Sequence, residues 1–243
     1  MRGFFLKLFF TFVSFYFLGC TPGKETVEDI PEDSTKFEYK STDSTTHIDS
    51  TSESMEIDSL VQKFEDPQRV EWQNPSLVIE KLGDIHNKTI ADIGAGSGYF
   101  TFPLASKALK VIAVDIENQF LEFIEERKYS FTGEGVIENI ETRLCTEQDP
   151  LLENDEVDMA LLVNTYSFIE NRTEYLLNTI KGIKNGGSII IVDYKAGDIP
   201  VGPIDSSKVD FEIVVKELKS AGFKVEEVDS VSLKYQYIII ANK

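Results

Sequence analysis

The chain has 243 residues, with 42 acidic and 24 basic side chains, and a formal net charge of −18 at pH 7. A surface this acidic repels nucleic-acid phosphates and therefore argues against a nucleic-acid partner. The chain has two histidines and two cysteines. Their spacing matches no metal-ligand pattern, so we predict no metal site.

The first 20 residues form a predicted targeting segment. Arg2 and Lys7 carry positive charge, and the 11 residues 8–18 are almost wholly apolar. That run is shorter than the roughly 20 residues of a membrane-spanning helix, so a signal peptide is preferred. A cysteine directly after Leu18-Gly19 resembles the lipobox of bacterial lipoproteins. The resemblance implies acylation of Cys20 and an extracytoplasmic, membrane-anchored protein. The alternative is an uncleaved anchor with a cytoplasmic domain, in which Cys20 is a passive thiol.

Residues 21–59 are dense in Ser, Thr and acids and contain few apolar side chains. Such a composition buries too little surface to offset chain entropy, so we predict a disordered acidic tether and assign no role to His47. Residues 60–243 then form one domain. Its first part, Leu60 to Leu82, is predicted to be helical in two pieces broken at Pro67 and Pro75.

A glycine-rich turn organises the domain. Residues 90–101 read Ile-Ala-Asp-Ile-Gly-Ala-Gly-Ser-Gly-Tyr-Phe-Thr. An apolar run containing Asp92 leads into three glycines, and an amphipathic stretch follows. This pattern predicts a strand that turns sharply into a helix and lets a ligand approach the backbone. The N-terminus of that helix offers unpaired N–H groups to a polar or anionic ligand.

The glycine spacing differs from the dinucleotide fingerprint. G-x-G-x-x-G would place its third glycine at position 99, where the chain has tyrosine. A second apolar run, Val111 to Val114, ends at Asp115, where a carboxylate can accept hydrogen bonds from both hydroxyls of a ribose. Together these residues resemble the class I S-adenosylmethionine-dependent methyltransferases. The first motif of that family is acid-x-Gly-x-Gly-x-Gly, and its second is an acid that ends strand two. The alternative is a glycine turn in another α/β protein.

The resemblance implies a Rossmann-like α/β fold: a seven-stranded, mostly parallel sheet with helices on both faces and a terminal antiparallel strand pair. It implies S-adenosyl-L-methionine as cofactor. The residues that would bind it are Asp92, Gly94, Ala95, Gly96, Gly98, Asp115, Ile116, Thr146 and Asn164.

The segment before the glycine turn contains Arg69, Trp72, Gln73 and Pro75. This cluster resembles a segment found in a subgroup of small, often exported methyltransferase-like proteins, and in related folds such a segment lies over the cofactor. The alternative is a tryptophan that packs a helix onto the sheet.

The remaining pattern predicts alternating strands and helices. The predicted strands are 89–93, 111–115, 140–145, 157–163, 188–192, 223–228 and 235–241. The predicted helices are 98–109, 119–128, 172–184 and 209–221. The last two strands are joined by a short connection, which suits an antiparallel pair.

No catalytic residue follows directly from the sequence. The resemblance places Asn164 and Tyr166 beside the transferred methyl group. A protein base is needed only if the acceptor must lose a proton. Asp193 and, less plausibly, Tyr166 are the candidates, and each also has a structural explanation as a strand-end cap or a pocket wall. His86 precedes the first strand in a surface loop and is poorly placed.

Three functions remain open. The first is methyl transfer to a small-molecule acceptor whose identity the sequence does not reveal. The second is a lipid-anchored binding protein that retains a nucleoside pocket without methyl transfer, since the cofactor is made in the cytoplasm and a cleaved lipoprotein faces outward. The third is a cytoplasmic enzyme held by an uncleaved anchor.

Overall fold

The computed structural model describes residues 50–130 and 138–243. The predicted signal segment, Cys20 and residues 21–49 of the predicted tether lie outside the described residues. Within the described ranges, no helix has the length and apolar character needed to cross a bilayer.

In the described part of the chain, three helices precede the sheet: α1 (Ser50–Phe64), α2 (Arg69–Gln73) and α3 (Pro75–Lys81). Helix α1 begins at Ser50, inside the range predicted as tether. Its apolar side chains recur at helical spacing, at positions 57, 60, 61 and 64. Asn74 separates α2 from α3 with φ +46°, and its side chain accepts a hydrogen bond from the Leu77 N–H at 3.2 Å. This Asn cap and Pro75 at the first helical turn explain the second break.

Seven strands form one sheet. They are β1 (Thr89–Ile93), β2 (Lys110–Asp115), β3 (Ile140–Leu144), β4 (Val157–Val163), β5 (Ile183–Tyr194), β6 (Lys224–Asp229) and β7 (Gln236–Asn242). Their order is β3-β2-β1-β4-β5-β7-β6. Strands β1 to β5 are mutually parallel, and β7 is antiparallel to both β5 and β6. The predicted Rossmann-like sheet with a terminal antiparallel pair is confirmed.

Helices cover both faces of the sheet. The four that follow the glycine turn are α4 (Thr101–Ala105), α5 (Asn118–Ser130), α6 (Arg172–Gly182) and α7 (Phe211–Ser220). One buried apolar cluster joins a sheet face to α3, α4 and α5, and a second joins the opposite face to α6 and α7. The central parallel strands are therefore apolar on both sides, as a doubly covered sheet requires.

Two predicted boundaries are wrong. Helix α4 is shorter than predicted because Gly98 has φ +81°, outside the helical region, and the helix begins at Thr101. The predicted end of the helix at Lys184 is also wrong, because β5 begins at Ile183, which pairs with Val157 of β4. Gly186 has φ +78°, and the register of β5 against β4 shifts in this region.

The carboxyl ends of β1, β2, β4 and β5 meet at one edge of the sheet, where doubly wound α/β folds bind ligands. Asp92, Asp115, Asn164 and Asp193 lie at or just beyond those ends. Strand β7 runs the other way and begins at this edge with Gln236, the cross-strand partner of Tyr194.

Candidate functional site

The glycine loop is fixed to the end of β2. Gly94 and Ala95 both donate their N–H groups to the Val114 carbonyl, at 2.8 and 3.1 Å. Gly94, Gly96 and Gly98 have φ values of +76°, +52° and +81°. These left-handed conformations favour glycine, so the motif provides a tight backbone turn between β1 and α4 with no Cβ at three positions.

Asp115 connects the second strand to this loop. Its Oδ2 accepts the Gly96 N–H at 2.8 Å, and its Oδ1 accepts the Glu117 N–H at 3.0 Å. Burial raises the pKa of the carboxyl, while these backbone N–H groups lower it. Each carboxylate oxygen has a second lone pair, so Asp115 can still accept hydrogen bonds from a ligand. Ile116 follows, half-buried.

Asp92 joins the first strand to the following helix. Its Oδ2 accepts the Thr101 hydroxyl at 2.6 Å, and the side chain is buried. Burial raises the pKa of this carboxyl to about 6. The carboxylate thus holds β1 against α4 and contributes to the electrostatics at the floor of the site.

Arg69 reaches the glycine motif from α2. Its guanidinium carbon lies 4.1 Å from the centre of the Tyr99 ring, and its Nη1 donates to the Phe64 carbonyl at 2.5 Å. Its Nε donates to the Gln73 side-chain carbonyl. Arg69 is buried, and burial lowers its pKa. Among the described residues, no carboxylate lies within salt-bridge distance of it.

The other members of this cluster are also placed. The Gln73 Nε2 is buried and has no hydrogen-bond partner. The Trp72 ring lies 5.8 Å from the Tyr194 ring, centre to centre. Trp72 therefore packs α2 against the end of β5, while Arg69 contacts the glycine motif. The structure combines features of both interpretations of the cluster.

The end of α1 lies against the glycine loop, a feature that the sequence analysis missed. Glu65 accepts the Ser97 hydroxyl at 2.9 Å and pairs with Arg127 of α5 at 2.7 Å. The Phe64 ring lies 3.3 Å from the position that a Cβ on Gly96 would occupy. The sequence shows that Phe64 lies at helical spacing from the other apolar residues of α1, but it does not indicate that Phe64 packs against Gly96.

Asn164, which is half-buried, and the fully buried Gln236 form an amide pair at the end of β4. The Gln236 Nε2 donates to the Asn164 Oδ1, and the Asn164 N–H donates to the Val192 carbonyl at 2.9 Å. Asn164 has φ +58°, a conformation that asparagine tolerates better than most residues. The Gln236 Oε1 is buried and has no hydrogen-bond partner. Gln236 was not predicted as a site residue.

Thr146 lies beyond the end of β3. Its side chain is exposed, and its hydroxyl oxygen accepts the Asp149 N–H at 3.0 Å. The preceding residue, Cys145, donates its N–H to the Asp115 carbonyl at 2.9 Å. Thr146 thus lies one residue beyond the hydrogen bond between Cys145 and the end of β2. Its hydroxyl stabilises the turn that leads to Asp149.

Tyr166 has a structural role. Its hydroxyl donates to Glu217 at 2.6 Å, and Arg172 also binds Glu217, at 3.0 Å. The ring is buried in the apolar cluster beside α6 and α7. Burial and the Glu217 carboxylate both raise the pKa of the Tyr166 phenol, so it does not act as a base near neutral pH. The structure argues against the catalytic alternative and supports the structural one.

Replacing Tyr166 with Phe is expected to reduce the free energy of unfolding by about 1–2 kcal/mol, because it removes a hydrogen bond to a carboxylate. Urea denaturation of the two proteins measures the difference. A variant as stable as the parent would contradict this role for the hydroxyl.

Asp193 caps the loop after β4. Its Oδ2 accepts the Ser167 N–H at 2.9 Å, and its Oδ1 accepts the Tyr194 N–H at 2.7 Å. Burial raises the pKa of this carboxyl to about 6. Both oxygens serve backbone groups, which favours the cap interpretation over a catalytic base. His86 is exposed in the loop before β1, as expected.

The raised pKa of Asp193 predicts a pH-dependent stability. Because the folded-state pKa exceeds the ordinary 3.8, this group favours folding fully below pH 4, and that contribution is lost as the pH rises through about 6. The shift corresponds to about 3 kcal/mol. Asn cannot ionise, so the stability of Asp193→Asn relative to the parent is expected to rise by up to that amount between pH 4 and pH 8. Denaturation curves across this range test the prediction, and a difference that does not vary with pH would contradict it.

Comparisons with known proteins agree with this geometry. A family profile described as a methyltransferase domain matches residues 91–189, from β1 into β5. A relative from Rickettsia typhi, named ubiquinone biosynthesis O-methyltransferase, is 27% identical, with 61% of this chain and 70% of that protein covered. A wheat (Triticum aestivum) relative, named phosphoethanolamine N-methyltransferase 1, is 30% identical, with 62% of this chain and 29% of that protein covered.

A solved structure shares the fold. The crystal structure of a SAM-dependent methyltransferase from Aquifex aeolicus matches with a TM-score of 0.69 and 24% identity, covering 75% of this chain and 96% of that one. The glycine loop, the acid at the end of β2, the matched domain and the named relatives lead to one conclusion. Residues 91–189 match a methyltransferase domain, and the chain has the fold of the class I S-adenosylmethionine-dependent methyltransferases.

Proposed function

We propose that this methyltransferase transfers the methyl group of S-adenosylmethionine to a small-molecule acceptor. The observation that carries the proposal is the link between Gly96 and Asp115 at the carboxyl edge of the sheet, where the N–H of Gly96 lies 2.8 Å from the Asp115 carboxylate. This link places a turn with glycine at three positions beside a carboxylate whose oxygens have unused lone pairs. A nucleoside needs both features, the first for close approach and the second for its ribose hydroxyls.

The residues present fit the cofactor. Asp115 would accept hydrogen bonds from the ribose hydroxyls, and the glycine loop would lie against the amino-acid end of the cofactor. Among the described residues, the buried Arg69 has no acid at salt-bridge distance, and a buried N–H group of Gln73 has no acceptor. A carboxylate would satisfy both, since guanidinium–carboxylate hydrogen bonds are among the stronger ones in proteins. We therefore assign the cofactor carboxylate to Arg69 and Gln73.

The protein contributes alignment and shielding more than acid–base chemistry. When bound, S-adenosylmethionine supplies an electrophilic methyl carbon, whose bond to sulfur breaks as the acceptor forms its own bond to that carbon. Such an in-line displacement depends mainly on holding the two reactants in line. Trp72 and Tyr194 form an aromatic contact over the end of β5 that would limit the access of bulk water to the site. Asp193 and Tyr166 are engaged in structural hydrogen bonds, so we assign neither a catalytic role.

A small acceptor is supported by charge and by similarity. The net charge of −18 disfavours a nucleic-acid acceptor. The named relatives are an O-methyltransferase of ubiquinone biosynthesis and an N-methyltransferase of phosphoethanolamine. The test is incubation with S-adenosylmethionine and an acceptor panel, with S-adenosylhomocysteine measured by mass spectrometry. We expect one class of hydroxyl or amine acceptors to increase product formation above the rate without acceptor. No increase with any acceptor, from a chain that binds the cofactor, would favour a binding protein instead.

We propose further that the domain is anchored to a membrane through a lipid on Cys20 and faces away from the cytoplasm. The support is the apolar segment and the Leu18-Gly19-Cys20 sequence. Mass spectrometry of the N-terminal peptide tests this proposal. Diacylglycerol on Cys20 is the expected result, and an intact Met1 would overturn it and leave an uncleaved anchor with a cytoplasmic domain.

A further inference from the structure

The hydrogen-bonded amide pair of Asn164 and Gln236 is incomplete. The Gln236 Nε2 is bonded to the Asn164 Oδ1, but the Gln236 Oε1 has no partner among the described residues, although the Gln236 side chain has no exposed surface. Buried polar atoms are nearly always satisfied in folded proteins, because an unsatisfied acceptor loses its water without compensation. An isolated buried carbonyl at the ligand edge of a sheet therefore indicates a missing hydrogen-bond donor.

The position of the pair separates it from the cofactor residues. The glycine loop and Asp115, which carry the ribose assignment, lie at the ends of β1 and β2, whereas Asn164 follows β4 and Gln236 begins β7. In the strand order, β7 is four places from β2, and neighbouring strands are roughly 4.8 Å apart. Gln236 is thus on the far side of the site from Asp115, where the second reactant must enter.

The surroundings of the pair are aromatic. Gln236 is the cross-strand partner of Tyr194, so the two side chains share one face of the sheet at close spacing. The Tyr194 ring contacts Trp72 of α2. A ligand group bonded to Gln236 would lie beside these rings.

We propose that Gln236, oriented by Asn164, binds the nucleophilic group of the methyl acceptor through a hydrogen bond donated by that group. The inference rests on the proposed function and adds a substrate class to it: the acceptor atom is a hydroxyl oxygen or an amine nitrogen that carries a hydrogen. Carboxylates and thiolates have no such hydrogen. As the acceptor's lone pair takes the methyl carbon, its proton passes to water, because a neutral amide is too weakly basic to keep it.

This arrangement gives specificity without a protein base. A site that hydrogen-bonds a substrate O–H or N–H rejects analogues that lack it, because the buried group is then left unpaired. Gln236 fixes the direction of the donor hydrogen, and hence the direction of the lone pair on the same atom. Asn164 fixes the Gln236 side chain and is a positioning residue.

The test measures binding to the full chain saturated with S-adenosylhomocysteine, so it does not depend on turnover. Two probe pairs separate the hydroxyl and amine alternatives: catechol against 1,2-dimethoxybenzene, and phosphoethanolamine against phosphocholine. The second member of each pair has no donor hydrogen on the relevant atom. In the parent protein, we expect the donor form of one pair to bind at least about tenfold more tightly.

Two variants test whether Gln236 and Asn164 cause the preference for the donor form. Gln236→Met keeps the side-chain volume and removes both polar atoms, and Asn164→Gly tolerates the positive φ while removing the orienting amide. Each is expected to abolish the preference, and Gln236→Met is expected to leave the S-adenosylhomocysteine Kd within about twofold. Gln73→Met is the matched control on the cofactor side. It removes the other buried amide with an unsatisfied polar atom among the described residues, and it should raise the S-adenosylhomocysteine Kd while keeping the donor preference.

The outcomes are distinct. Failure of the parent chain to bind S-adenosylhomocysteine would overturn the proposed function itself. Normal cofactor binding with no donor preference in either pair, or with a preference that survives in Gln236→Met, would overturn the role of Gln236 alone.

Discussion

Asp115→Ala is expected to weaken binding of S-adenosylmethionine and S-adenosylhomocysteine by about 100-fold. The Asp115 carboxylate lies at the end of β2 with one backbone N–H on each oxygen, and the remaining lone pairs are oriented by those two bonds. Two hydrogen bonds from ribose hydroxyls to a charged acceptor contribute about 2–4 kcal/mol together. Loss of the Gly96 contact would also loosen the glycine loop, which adds to the effect. Calorimetric titration of both ligands measures the change.

A charge control separates direct contact from long-range attraction. The cofactor is a cation, so removing any acid could weaken its binding. Glu126 is exposed on α5, and Glu126→Gln removes one negative charge without changing the loop. We expect this variant to bind within about twofold of the parent, because exposed charges are screened. Equal losses in the two variants would contradict a direct role for Asp115.

Gly94→Ala is expected to be the most destabilising substitution in the glycine loop. Gly94 has φ +76°, and a Cβ at this position would lie 2.3 Å from the Thr165 Oγ1 and 2.5 Å from its Cγ2. The left-handed conformation costs about 1–2 kcal/mol for alanine, and the overlap with a packed side chain costs about 1–3 kcal/mol more. We expect a loss of about 2–5 kcal/mol in the free energy of unfolding, together with loss of cofactor binding.

Gly83→Ala is the matched control for this prediction. Gly83 has nearly the same conformation, with φ +71°, but a Cβ there would meet nothing within 4 Å. It should therefore show the conformational cost alone and retain cofactor binding. Urea denaturation compares the two variants. If Gly83→Ala and Gly94→Ala lost equal stability, the contact with Thr165 would not explain the effect.

The sequence predicted the parts of the molecule that depend on local pattern. The apolar runs around Asp92 and Asp115 and the three glycines between them define a strand–turn–helix unit within a few residues, so the sheet and the cofactor edge could be placed. The antiparallel pair at the end of the chain followed from two short apolar runs with a brief connection. A predicted boundary was wrong where strand pairing overrode the local helical pattern. Ile183 was predicted to be helical, but it pairs with Val157 of β4 and begins β5.

The rest of the site depends on contacts between distant residues. Gln236 meets Asn164 across 72 positions, and Glu65 meets Ser97 across 32. No local pattern marks either pair, because hydrogen-bonding geometry between remote residues is set only after the sheet has formed. The contacts of Tyr166 likewise join distant residues. Its place after β4 suggested the methyl group, but its hydroxyl reaches Glu217 of α7, on the other side of the sheet from the cluster that packs α4.

The central claim is that the glycine loop and Asp115 bind an S-adenosyl nucleoside. Calorimetric titration of S-adenosylhomocysteine into the full-length chain, with circular dichroism to confirm folding, tests it most directly. The account predicts one site per chain with a micromolar Kd, lost in Asp115→Ala. A folded chain that releases or absorbs no heat with S-adenosylhomocysteine or S-adenosylmethionine at several temperatures would contradict it.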